Sequence, residues 1–137
     1  MLIFDFKQSF NVFFLILNII KNTFKVINNT MNLSKNELIE QVKKLSNELD
    51  IQYNTELNFR NHCYLRIAYD TTVNDKWDTI IKRPFTKYAT EVDLLKAITF
   101  LETYKKDKNL LIKDNDKSLI FRKKYLKEKS TDGYLLF

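Results

Sequence analysis

Asn58 to Tyr88 reads NFRNHCYLRIAYDTTVNDKWDTIIKRPFTKY, and the assignment of its middle decides the fold. From Cys63 to Tyr69 the residues are rich in strand formers and alternate in character. Cys63, Leu65, Ile67 and Tyr69 fall on one side of an extended chain. His62, Tyr64, Arg66, Ala68 and Asp70 fall on the other. The alternation favours a short strand, its odd face in the core and its even face turned to solvent or to a site. A buried helical turn fits the same short run, because period separates the two poorly over so few residues.

Working outward, Thr71 to Asp75 reads as a turn-like loop. Trp77 to Lys82 reads as a helical turn or a second short strand. Arg83-Pro84 ends it, since a residue before proline is pushed out of the helical region. Upstream, Ser34 to Glu37 has the spacing of a capping box. Leu38, Val42, Leu45 and Leu49 follow at helical spacing, with Ile39 beside them. Ile51 to Phe59 is a polar connector. Downstream, Thr90 to Asp93 caps a second helix with the buried stripe Leu94, Leu95, Ile98, Leu101 and Tyr104. Asn109 to Lys129 reads as a third helix, with a break placed near Asp114-Asn115 and Leu111, Leu119 and Leu126 sharing a face. The expected architecture is a small α+β domain, residues 31–129, with about three helices packed on one short strand or hairpin. An apolar segment, 1–30, precedes it and a tail, 130–137, follows.

Composition removes several chemistries. The chain of 137 residues has one glycine and one proline. Phosphate-cradling loops need glycines, so a P-loop, a dinucleotide-binding fingerprint and a nucleophile elbow are all missing. Cys63 is the single cysteine, which excludes an internal disulfide and a multi-cysteine zinc site. A lone thiol fits a reducing compartment, and a cytoplasmic location is expected. No cofactor or metal is expected. The formal charge is +6, and the excess lies on residues 60–90 and 91–137, each +3. That balance favours an anionic partner.

Residues 1–30 stand apart. The stretch VFFLILNII, Val12 to Ile20, is strongly apolar, but Asn18, Lys21, Asn22 and Lys25 interrupt the longer run. A spanning helix wants about 20 largely apolar residues, and Asp5 spoils the basic start of a signal peptide. Three readings stand: an amphipathic helix on the domain or on a membrane surface, a membrane anchor, or a translated leader ahead of a true start at Met31. The last is favoured because the globular pattern becomes clean there. Membrane association follows only if 1–30 is part of the protein.

The chemistry concentrates on the even face and the loop after it. Adjacent His62 and Cys63 point apart on a strand, so they make no nucleophile pair. Arg60, His62, Tyr64 and Arg66 share one side at two-residue spacing, and paired guanidiniums suit phosphate, carboxylate or a nucleic-acid backbone. Lys82, Arg83 and Lys87 add charge within a short span. Trp77, Phe85 and Tyr88 interleave aromatics, the composition of a single-strand-binding surface. Asp70 and Asp78 are placed to orient Arg66 or the imidazole. The expected ligand-binding set is Arg60, His62, Tyr64, Arg66, Trp77, Asp78, Lys82, Arg83 and Lys87, for an anionic ligand and above all nucleic acid. The alternative is an acid–base site on His62, Tyr64 and Asp70, and a third reading is a membrane-tethered interaction protein. The plain reading is that the arginines pair with nearby aspartates and the aromatics fill the core.

NFRNHCYLRIAYD, KWD, KRPFTKYAT and NDKSLIFRKK together resemble a group of short bacterial and viral proteins. Some of these are labelled acetyltransferases and most are uncharacterised. The resemblance covers about Leu33 to Lys124. Asn61, His62, Tyr64, Arg66, Asp70, Trp77, Asp78, Arg83, Pro84 and Lys87 are its matching positions. It identifies none of them as catalytic. Beside it stands the alternative of an acetyltransferase-like enzyme using a His62, Tyr64 and Arg66 site.

Overall fold

With so little glycine and proline, few positions interrupt a helix. A computed structural model describes residues 12–25 and 33–131, and among these the regular structure is helical, with no strand. This overturns the expected α+β class. The chain divides into two compact units, Met1–Asn32 and Leu33–Phe137. The first contains helix α1, residues 12–25. The second contains α2 (Lys35–Tyr53), α3 (Asn61–Val73), a 3₁₀ turn (Trp77–Thr79), α4 (Phe85–Tyr88), α5 (Glu91–Lys106) and α6 (Lys108–Thr131). The proposed start at Met31 and the tail from Asp132 onward lie outside the described residues. Ser130 and Thr131, expected in that tail, continue α6.

The correction centres on α3. Tyr64, Ile67 and Ala68 stand at i, i+3 and i+4 and are fully buried, the stripe of a helix. Cys63 and Leu65, which a strand would bury beside Ile67, are only half-buried. Tyrosine, isoleucine and threonine favour strands, yet that preference mostly expresses fit to a half-buried surface, and packing overrides it. Asn74 closes the helix in the left-handed region, at φ 56° and ψ 38°. Its amide donates to the carbonyls of Asp70 and Thr71. Trp77 to Lys82 forms no second strand either: residues 77–79 make a 3₁₀ turn.

Other helix ends follow their sequence signals. The Ser34 hydroxyl accepts from the Glu37 amide at 3.3 Å, while Glu37 Oε1 accepts from the hydroxyl rather than from the Ser34 amide. Thr90 and Asp93 complete a full capping box at the start of α5. Leu38, Val42, Leu45 and Leu49 of α2 and Leu94, Ala97, Ile98 and Leu101 of α5 are buried, and the two helices pack together. Helix α3 touches α2, α5 and α6, so the segment that decided the fold is its hub.

Helix α6 is unbroken at Asp114-Asn115. Its inward face is polar beyond Leu111: Asp114 and Ser118 are buried, whereas Leu119 and Leu126 are exposed. The expected common face of Leu111, Leu119 and Leu126 therefore does not form the seam.

Candidate functional site

Two polar regions border the hub. The first is the seam between α3 and α6. Asp70 is fully buried and accepts four hydrogen bonds, which use the acceptor capacity of a carboxylate. The donors are the Trp77 amide (3.0 Å), Ser118 Oγ (2.5 Å), and Arg122 through Nε (3.1 Å) and Nη2 (3.2 Å). Arg66 donates to Ser118 Oγ at 2.5 Å and to Asn115 Oδ1 at 2.6 Å. Burial, with the Arg122 charge next, lowers its affinity for the proton below the arginine norm. Further along the seam, the Tyr104 hydroxyl donates to buried Asp114 Oδ2 at 2.7 Å. Burial pushes that phenol well above the usual range. These groups satisfy one another, and the seam acts as a polar lock joining α3, α5 and α6.

The second region is an exposed basic surface made by residues 76–88 and the end of α6. The Tyr88 ring carries two ammonium groups, Lys82 Nζ 5.0 Å and Lys87 Nζ 5.3 Å from its centroid. The Tyr125 ring also carries two, Lys124 Nζ at 5.4 Å and Lys76 Nζ at 5.8 Å. Arg83 lies over Trp77 at 5.1 Å. All five distances suit cation–π attraction. The Tyr125 hydroxyl donates to Asp75 Oδ2 at 3.1 Å and lies 3.3 Å from Thr79 Oγ1, which ties the end of α6 to the 3₁₀ turn. Lys35 Nζ donates to the Lys87 carbonyl and adds a further cation beside Tyr88.

Trp77 is held from beneath. Its ring meets Tyr69 and Phe85 edge-on, with centroids 5.6 and 5.5 Å away, and Tyr69 stacks on Phe85 at 3.7 Å. Asp78 anchors Arg83, whose Nε and Nη2 both reach Oδ2, at 3.1 and 2.5 Å. Its other oxygen lies 3.5 Å from Lys76 Nζ. Burial acts to raise the Asp78 carboxyl, but the Arg83 hydrogen bond and the charges of Lys76, Arg83 and Arg122 outweigh it and hold it below the carboxylate norm. Asp78 therefore positions cations here.

The structure scatters the rest of the sequence-predicted set. Helical phase splits the set: residues two apart diverge by about 200°, so Tyr64 turns away from His62 and Arg66, which stand four apart on one side, and Arg60 precedes the helix. Arg60 precedes α3 and is exposed, and so is His62. Tyr64 is fully buried against Phe59, and its hydroxyl has no hydrogen-bond partner among the described residues. Burial pushes its phenol up to about 12. Arg66 belongs to the seam. His62, Tyr64 and Asp70 do not converge: one is in solvent, one in the apolar core and one inside the lock. Arg83 meets Trp77 and Asp78, and Lys82 and Lys87 meet at the Tyr88 ring. Lys76, Lys124 and Tyr125, absent from the expected set, gather beside Asp78 and Asp75. The basic run Arg122 to Lys124 was visible in the sequence, but nothing local places it beside a turn some 50 residues earlier.

Among the described residues no cluster of His, Cys, Asp and Glu is arranged to hold a metal ion. No protein-family model, no curated protein and no solved structure matches this chain.

Proposed function

We propose that this protein is a small helical module that binds an anionic partner, and specifically single-stranded nucleic acid, through the surface of residues 76–88 and the end of α6. One observation carries the reading: Tyr88 and Tyr125 each hold two lysine ammonium groups at their rings. Cations beside partly exposed aromatic faces suit a strand whose phosphates are neutralised while its bases stack. Tyr88 is 43% exposed, so its ring is open to a ligand. Lys82, Arg83 and Lys87 are exposed as well, and of these Arg83 is tied to a carboxylate.

Fluorescence anisotropy of the full chain with labelled single-stranded DNA and RNA, across a salt series, tests this. The expected affinity falls linearly on a log–log salt plot. Lys82→Gln with Lys87→Gln should weaken binding and flatten the slope by about 1.4, at about 0.7 for each lost single-strand phosphate contact. An absence of binding at low salt ends the proposal.

A further inference from the structure

We propose a second binding surface, independent of the first: α1, residues 12–25, is an interfacial helix that lies in the plane of an anionic phospholipid bilayer. At 100° per residue, Leu15, Ile19, Val12, Ile16, Ile20, Phe13, Phe24 and Leu17 occupy one arc of about 200°, with Thr23 within it. Lys21, Lys25, Asn18 and Asn22 occupy the opposite sector, with Phe14 among them. Val12, Phe13, Leu15, Ile16, Ile19, Ile20 and Phe24 are between 50 and 62% exposed. An exposed apolar surface of this kind marks an interaction site.

Three features select the bilayer surface as the occupant. The first is width, because a helix docked on one neighbour buries a stripe of about 100° or a little more, and this arc is about twice that. The second is length. No helix among the described residues is long and apolar enough to cross a membrane. The third is charge. Residues 12–25 contain two lysines and no acid, both lysines on the polar sector. There they meet lipid phosphates and carboxylates while the apolar arc enters the acyl boundary.

The test is co-sedimentation of the full chain with phosphatidylcholine vesicles, with and without phosphatidylserine, at low and moderate salt. Binding to the phosphatidylserine vesicles is expected, and Lys21→Gln with Lys25→Gln should weaken it about thirtyfold. Ile16→Asp with Ile20→Asp should weaken binding to every vesicle by at least about a hundredfold. The latter variant should keep the Trp77 emission and the nucleic-acid affinity of the parent, which separates this surface from the basic one. In a Phe13→Trp variant, bromines high on the acyl chains should quench the added indole more than bromines at the chain ends. Failure to sediment, vesicle binding unchanged by Ile16→Asp with Ile20→Asp, or stronger quenching from the chain ends overturns the proposal. So does apolar-face-dependent self-association that proceeds without vesicles and blocks binding to them, since the occupant is then a second copy of the chain.

Discussion

Asp70 and Arg122, 52 residues apart in the chain, meet in a two-point ion pair at 3.1 and 3.2 Å. The carboxylate is fully buried and the guanidinium is a quarter exposed. The pair joins the hub helix α3 to α6, and Ser118 and the Trp77 amide complete the carboxylate's shell. Removing one partner leaves the other in the seam without its counter-charge. Asp70→Ala and Arg122→Ala should therefore each cost about 3–5 kcal/mol in urea denaturation. The double variant should cost clearly less than the sum of the singles. Additive losses would mean that the pair is not a coupled unit.

The aromatic platform under Arg83 makes a second prediction. Phe85 is buried, stacks on Tyr69 and meets Trp77 edge-on. Phe85→Ala should cost about 3–5 kcal/mol. Trp77 is the single tryptophan, so its emission reports this cluster alone. A red shift in the folded state of the variant is expected. An unchanged spectrum and stability would place Phe85 outside the packed cluster.

Tyr64 carries a buried hydroxyl without a hydrogen-bond partner among the described residues. Tyr64→Phe keeps the ring and removes the unpaired group, so it should stabilise the fold by about 1 kcal/mol. Loss of stability on thermal unfolding would show that the hydroxyl has a partner in solution.

The same burial sets an alkaline limit. The phenols of Tyr64 and Tyr69 are raised from the ordinary 10 to about 12 by burial. Their neutral forms favour the folded state fully below pH 10, and this contribution is lost as pH rises from 10 through 12. Tyrosinate absorbance and helical circular dichroism, followed together, should show these phenols ionising with unfolding between those values. Ionisation of all the tyrosines near pH 10 without loss of helix would contradict the burial.

The cap of α5 is a local device with a local cost. Thr90 accepts from the Asp93 amide, and Asp93 accepts from the Thr90 amide and hydroxyl. Thr90→Ala should cost about 1 kcal/mol, measured by denaturation. A null effect would mean that water replaces the cap.

Several elements were legible because their signals are local. Ser34 and Thr90 mark helix starts through hydroxyls that bond amides three residues on. The stripes Leu38–Val42–Leu45–Leu49 and Leu94–Ile98–Leu101 repeat at helical spacing over about three and two turns, long enough to exclude a strand. In contrast, Cys63 to Tyr69 carries both periods at once. Alternation uses Cys63, Leu65, Ile67 and Tyr69, whereas the helix uses Tyr64, Ile67 and Ala68. The choice between them rests on which set finds neighbours to bury it, and those neighbours are α2, α5 and α6.

The same distinction divides the site. The cationic and aromatic character of Trp77 to Tyr88 was readable from residue types, and so was the lack of a glycine loop to cradle phosphates. The grouping of Arg60, His62, Tyr64 and Arg66 was not, because it depended on a strand's two-residue repeat. Asp114-Asn115 read as a break in the last helix, and Leu119 and Leu126 as core. Contact with α3 reverses both assignments. By itself the sequence determined where α2 and α5 begin, which stripes they bury and which chemistries the composition forbids, since each follows from bonds and periods within a few turns. Only the tertiary structure decided that the central segment is a helix, that Asp70 is a lock rather than a base, and that Tyr125 joins the basic surface. Each of these depends on partners from other elements of the chain, and burial, not local preference, sets what a polar side chain does there.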